Sequence, residues 1–182
     1  MINPNRQDSK YSYKDLAGVG VTYKFAQAIT QESLEEDLDL VCLGTIADVV
    51  PLNGENRILA KHGLKCLSKT KKVGLRALIK QSGMKDDSIS ASSVSYIIGP
   101  RINASGRIDS AEVSLRLLMS NSDEEAEELA KVVNRHNQKR QEIEGVILRE
   151  AQDIIDKEIN FKDHRVIVVS KEGWHQGVLG IV

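Results

Sequence analysis

Cysteine, histidine and aromatic residues are scarce in this chain of 182 residues, and each scarcity excludes a class of function. Cys42 and Cys66 stand in apolar neighbourhoods without CxxC spacing. That argues against a disulfide framework or a cysteine-built zinc centre, and both read as reduced core residues of a cytoplasmic protein. His62, His136, His164 and His175 are scattered with no HxD or HxxE spacing, so they assemble no metal site by themselves. Trp174 is the only tryptophan, and no platform for stacked bases can be assigned. No apolar run approaches the roughly 18 to 20 residues that a membrane-spanning helix needs, and the first residues carry no signal-peptide core. Net charge is nearly absent, 25 bases against 26 acids.

What is present begins with a 41% apolar share, enough to bury the core of one domain and part of another. The charge balance is locally uneven: from residue 52 to 81 a series of bases from Arg57 to Lys80 faces one acid, Glu55. A polyanion could use that stretch, and a solvated helix face is an equal alternative. The chain ends inside an apolar segment without a polar tail, so it reads as a fragment.

The most informative run is LDLVCLGTIADVVPL, residues 38–52, because it places Asp48 among apolar neighbours. An unpaired buried charge costs several kcal/mol, roughly, so Asp48 is expected to have a partner. Ser33 and Glu36 form a capping-box pattern, and Pro51 stops the run, which predicts a buried helix of about four to five turns with Asp48 in its last turn. A buried strand is the competing assignment for the run's centre. Asp48 then supports a metal or substrate site, caps a backbone N–H, or pairs with an arginine.

Around this element the spacing predicts a helix over residues 15–30, with Gly18 and Gly20 packed against another backbone, and short amphipathic helices over 56–67 and 73–81. Residues 83–90 read as a loop, and Ser90 or Ser92 caps a helix over 93–98. In GPRINASGRI, residues 99–108, Pro100 ends that helix and Gly106 permits a turn, so Arg101, Asn103 and Arg107 are expected on an irregular segment. Two guanidinium forks and an amide suit phosphate and sugar oxygens; alternatively the arginines satisfy loop carbonyls or pair with Asp109 and Asp48. Residues 110–119 form another helix.

Residues 122–158 read as one helix some 55 Å long, opened by a second capping box at Ser122. Its apolar stripe is interrupted by His136 and Arg140, as expected of a helix crossing an electropositive cleft between two lobes, with a coiled-coil dimer as the alternative. Residues 165–170 predict a strand leading into GWHQGVLG, a turn and helix start receptive to anions, where His175 is a ligand or a packed or capping histidine.

Taken in order, INPNRQDSKYSYKDLAGVGVTYKFAQAI, LDLVCLGTIADVVPL, GPRINASGRI, NQKRQEIE and GWHQGVLGIV resemble the RecJ family of single-stranded-DNA-specific exonucleases, within the DHH phosphoesterase superfamily. The resemblance implies an α/β fold class: a mostly helical fragment with residues 1–120 as the C-terminal part of a DHH catalytic domain, 121–160 as a long interdomain helix and 161–182 as the beginning of a DHHA1-type α/β domain. It implies a 5′→3′ exonuclease of DNA repair and recombination that uses two Mn²⁺ or Mg²⁺ ions, with Asp48 as a metal ligand and Arg101, Asn103, Arg107, Arg140 and His175 at phosphate or DNA. Asp48, Arg101 and Asn103 carry catalysis in that assignment. Single-stranded DNA is the implied partner, with other repair proteins and no membrane. The family's Asp-x-Asp and Asp-His-His ligands are missing from this sequence, so the fragment itself is expected to be inactive and to bind Mn²⁺ weakly or not at all. Two other functions compatible with the superfamily are a phosphodiesterase for short oligonucleotides or cyclic dinucleotides and a non-catalytic replication scaffold.

Overall fold

Burial of one apolar helix sets the arrangement of the others. The structure, a computed structural model, describes residues 2–84, 89–160 and 165–182. A 3₁₀ turn, Glu35–Asp37, leads into helix α2, Leu38–Ala47, whose Val41, Cys42, Leu43 and Ile46 are buried. The run is thus a helix and not a strand, but it is shorter than its pattern suggests. The capping box at Ser33 does not form: Leu34 occupies the left-handed region at φ 49°, and no side chain caps the turn. The Ser33 carbonyl instead accepts from the Tyr23 hydroxyl and the Gln27 amide, each at 2.7 Å.

Helix α1, Gly18–Thr30, starts three residues after Asp15 because the segment before it is held by α3, Gly54–Leu67. Buried Asn56 on α3 accepts the Ala17 N–H at 3.2 Å and donates to the Asp15 carbonyl at 2.7 Å. Neither glycine of α1 meets a backbone: Gly20 faces the Leu16 side chain and Gly18 faces open space. The close backbone approach falls at Gly63, where a Cβ would collide with the Leu38 carbonyl, so α3 lies directly on α2.

Helix α4, Val73–Gln81, presents Leu75, Leu78 and Ile79 to the same core. Next come α5, Ala91–Ser93, a π-helical turn, Val94–Ile98, and α6, Gly99–Ile108, without interruption. The Ser90 side chain and Ser93 form the capping box that opens this series. Pro100 therefore does not end a helix, and Arg101, Asn103 and Arg107 are not on an irregular segment. The physical reason is the wide π turn just before Pro100, which relieves the clash between its ring and the carbonyl four residues back. Helix α7, Glu112–Met119, adds Leu117 to the core.

Helix α8, Asp123–Glu158, has 36 residues and is about 54 Å long. The Ser122 hydroxyl accepts the Glu125 N–H at 3.3 Å, but the Glu125 carboxylate turns to Arg116 at 2.8 Å, so only half of the expected capping box is made. Ala126, Leu129, Ala130 and Val133 bury against α4 and α7. A four-residue helix, α9, follows at Gln176–Leu179.

The described residues are mostly helical and contain no strand. The strand expected at 165–170 is not formed: Val166 and Val168 are exposed, at 72% and 82%. A β-strand is stable only when a neighbour takes up its backbone hydrogen bonds, and the described residues supply none. Residues 85–88 of the expected 83–90 loop, and His164, lie outside the described residues.

The buried carboxylate of this fold is Asp39, 2% exposed. It accepts from the Leu40 N–H at 2.7 Å, the Thr70 hydroxyl at 2.6 Å and the Lys72 ammonium at 2.9 Å. Burial opposes the charge on Lys72, but its bonds to Asp39 and Asp37 outweigh that and raise its pKa above the usual lysine value. A folded-state pKa above the unfolded one means that the contribution is complete below about pH 10.5 and is lost as pH rises through the raised value. Lys72→Met should lower the unfolding free energy by roughly 3 kcal/mol in urea at pH 8, since it strands a buried carboxylate. The deficit should shrink as pH rises through the raised Lys72 value, where the wild type loses the same charge.

Candidate functional site

Helix α6 carries three of the residues singled out by the sequence, Arg101, Asn103 and Arg107. A Cβ placed on buried Gly99 would lie 3.1 Å from the Ala47 Cβ, so the start of α6 abuts the end of α2. Asp48 is the residue at that end. It occupies the C-cap position, is exposed, and its side chain has no hydrogen bond or ion pair among the described residues. The expectation of a buried Asp48 is therefore corrected. The helix stops one residue earlier, and the turn that follows carries the chain out to solvent.

Two features make this carboxylate unusual. A negative charge at a helix C-terminus opposes the helix dipole. The next residue, Val49, is in the left-handed region at φ 57° and is 82% exposed. A β-branched residue loses roughly 1–2 kcal/mol there, and no contact of a buried side chain offsets it.

A repeat of about 3.6 residues per turn divides the α6 side chains between two faces. Arg101 and Ser105, one turn apart, point to α8. Arg101 donates from Nε to the Asn134 Oδ1 at 3.0 Å and from Nη1 to the Ile97 carbonyl at 2.7 Å. Among the described residues its guanidinium meets no carboxylate, and burial pushes its pKa below the usual arginine value. The buried Ser105 hydroxyl lies 3.3 Å from His136 Nδ1. Asn103 and Arg107, also one turn apart, share the other face with Gly99. Asn103 is exposed. Arg107 reaches the Gly177 carbonyl at 3.1 Å, and a Cβ on Gly177 would collide with the Arg107 carbonyl.

Asn103 thereby stands between Gly99, which abuts the end of α2 at Ala47, and Arg107, which holds Gly177 of α9. His175 accepts the Gly177 N–H on its Nδ1 at 3.2 Å, so it caps α9 while lining a cleft of about 660 Å³ between α8 and residues 171–175. Trp174 closes that cleft by donating its indole N–H to Glu150 at 2.8 Å.

At the centre of α8, Asn134 and His136 face α6, and Asn137, 4% exposed, accepts from Arg140, which pairs with Glu144 at 2.7 Å. Lys131 pairs with Glu128 and Lys139 with Glu142, which leaves Arg135 as the exposed base of that stretch. At His136 the interrupted stripe meets Ser105 of α6, and at Arg140 it is filled by bonds to Asn137 and Glu144 within α8. Lys72 likewise leaves the basic surface for its buried bond with Asp39. Cys42 is buried with its thiol pushed up to about 12, whereas Cys66 is only half-buried and lines a cleft beside Asp39.

Among the described residues, no group of three or more His, Cys, Asp or Glu side chains could hold a metal ion. No helix among them is long and apolar enough to cross a membrane. Sequence reasoning missed Asp39, although its neighbours Leu38, Leu40 and Val41 give it the same apolar setting as Asp48. It also missed the left-handed Val49, for which the sequence holds no signal.

No protein-family model matches the chain. All 182 residues align at 42% identity with the single-stranded-DNA-specific exonuclease RecJ of Bacillus subtilis, of which they span 23%. The Escherichia coli protein of the same name is 36% identical over the whole chain, which spans 35% of it. The crystal structure of RecJ from Thermus thermophilus in complex with Mn²⁺ superposes with a TM-score of 0.83 at 35% identity, over 94% of this chain and 26% of that one. The Mg²⁺ complex gives a TM-score of 0.78 at 32% identity. The chain thus spans about a quarter to a third of the relatives it matches.

The collision at Gly177 yields a test of the docked C-terminal turn. Gly177→Ala should release residues 171–180 from α6 and α8, shifting the emission of Trp174, the sole tryptophan, to the red. The melting temperature should change little, because the α2–α4–α8 core does not include this turn.

Proposed function

We propose, from a likeness to the RecJ exonucleases that runs the whole length of the chain, that these residues are the part of a metal-dependent single-stranded-DNA exonuclease that presents one metal ligand and the phosphate-binding helix. In this reading residues 1–120 belong to a DHH-type catalytic domain, 121–160 form the connector and 161–182 open a DHHA1-type domain. The activity serves DNA repair and recombination in the cytoplasm. The observation that carries the reading is the exposed Asp48 carboxylate at the C-cap of α2, beside the start of α6 and without a cationic side chain against it among the described residues.

Asp48 fits a hard divalent cation as one corner of a site. It has open lone pairs and a position where its charge is otherwise unfavourable. The remaining ligands of such a site come from outside the described residues. When bound, Mn²⁺ or Mg²⁺ supplies Lewis-acid polarisation of a phosphodiester and a water of lowered pKa.

The chain's own groups do the positioning. Arg101, fixed by Ile97 and Asn134 and facing no carboxylate among the described residues, offers a partly desolvated positive charge to phosphate oxygens, where its field is strongest. Asn103, on the opposite and exposed face of α6, donates or accepts at a separate point along the strand's path. Arg107, held at the Gly177 carbonyl, and His175, aligned by its cap, border the path toward the α8 cleft. Arg140 acts at one remove, because its pairing with Glu144 and Asn137 stiffens the α8 face against which α6 lies.

The test is a chimaera in which this chain replaces the matching segment of the Bacillus subtilis exonuclease. It should digest single-stranded DNA in the presence of Mn²⁺. Asp48→Asn should abolish digestion, and Arg101→Gln should lower the rate by about a hundredfold, the cost of removing one preorganised donor at a developing charge. An active Asp48→Asn chimaera would overturn the metal assignment. The 182-residue chain alone should show no metal-dependent digestion.

A further inference from the structure

Helix α3 carries Arg57, Lys61 and Lys65 at successive four-residue steps, about 6 Å apart along the axis. All three are exposed. Like charges one turn apart destabilise a helix. Some bases elsewhere are compensated, Lys24 by Glu55, Lys72 by Asp39 and Asp37, Lys80 by Glu127 and Arg116 by Glu125, and single exposed bases such as Lys10 and Arg149 are not; what sets α3 apart is a row of three bases one turn apart with no ion pair at any of them among the described residues. Nothing among the described residues compensates the α3 stripe. The acid of α3, Glu55, accepts from Lys24 and Tyr11, and the three basic groups have no hydrogen bond or ion pair among the described residues.

The placement of the stripe gives its charge a direction. Gly63 lies against Leu38 and Cys42 of α2, while Asn56 donates to the Pro51 carbonyl, so α3 runs back along α2 from the Asp48 turn. Arg57 stands at the end nearest that turn. Lys65 stands at the other end, where with Lys69 and Lys71 it lines a cleft of about 770 Å³ that Glu35, Glu36, Asp37 and Asp39 also line, so the uncompensated charge of the row is greatest toward Arg57. The basic row therefore leads from the exposed carboxylate of the proposed site along the outer flank of α3.

We propose that Arg57, Lys61 and Lys65 form a track for the phosphate backbone of single-stranded DNA outside the Asp48 site. The proposal rests on the phosphodiester reading above and extends it to a surface that α6 does not touch. Steps of about 6 Å on long, flexible stems let each base meet a successive phosphate of an extended strand. The track needs no base contact, so its binding is independent of sequence and sensitive to salt.

The test measures binding of a fluorescent thymidine oligomer to the 182-residue chain by anisotropy, across a series of salt concentrations. In the triple variant R57Q/K61Q/K65Q the slope of log K against log salt should fall in magnitude by about 2, at roughly 0.7 per released contact for three contacts on a single strand. A control with the same loss of charge, K10Q/R149Q/K157Q, changes exposed bases off the track and should leave the slope unchanged. All six changes are polar for polar at exposed positions, and equal melting temperatures exclude misfolding.

Equal slopes for the two triple variants, or no binding by the unmodified chain at low salt, would overturn the track. So would an equal loss of affinity for a duplex of the same length, which would make the stripe a general duplex-binding face. The two readings fail separately. If Arg101→Gln weakens binding and the stripe variant does not, the track falls and the proposed function stands. If the stripe slope falls as expected while the Asp48→Asn chimaera stays active, the metal assignment falls and the track stands.

Discussion

The Asp39 carboxylate, buried and held by Lys72 and Thr70, pins one end of the apolar helix whose other end displays Asp48. Everything around the candidate site is referred to that helix. Its length fixes where the chain turns out to solvent, and its contact with Gly63 fixes α3 at backbone distance. The junction of Ala47 with Gly99 fixes where α6 begins. The two carboxylates have opposite fates for one reason. At the N-terminal end the 68–72 turn folds back and delivers a cation. At the C-terminal end nothing in the described chain does.

Helix α6 divides the remaining chemistry. One face closes a polar seam with α8 through Arg101, Asn134, Ser105 and His136. The other leaves Asn103 exposed between Gly99, at the end of α2, and the docked Gly177. The π-helical turn before Pro100 keeps this segment a helix, and a helix holds these side chains in fixed register where an irregular segment would let them move. A backbone outlier at Val49 and a wide turn at Val94–Ile98 therefore bracket the same corner of the fold.

Helices with strong periodicity and clear stops were legible from sequence. The bounds of α4 agree with the pattern, and α8 starts within one residue of the Ser122 cap. Two features were not legible. Residues 166–168 have the β-branched composition of a strand, but a strand is a property of a pair, and composition carries no record of whether the partner is there. Pro100 reads as a stop because the rule assumes an α-helical turn before it, and the π turn removes that assumption. In the site, residue types were legible and their exposure was not. Asp39 and Asp48 have equally apolar neighbours in sequence, and the partners that distinguish Asp39 lie more than thirty positions away.

By itself the sequence determined the helices of clear periodicity, the long α8 among them, and the likeness to an exonuclease family. Those follow from local periodicity, residue spacing and motif order, which the linear chain contains in full. Only the tertiary structure decided which carboxylate is buried, that Arg101 and Asn103 face different ways, and that the α3 bases form no ion pair among the described residues. Burial and charge pairing arise between distant segments, and a pattern read within one segment cannot contain them.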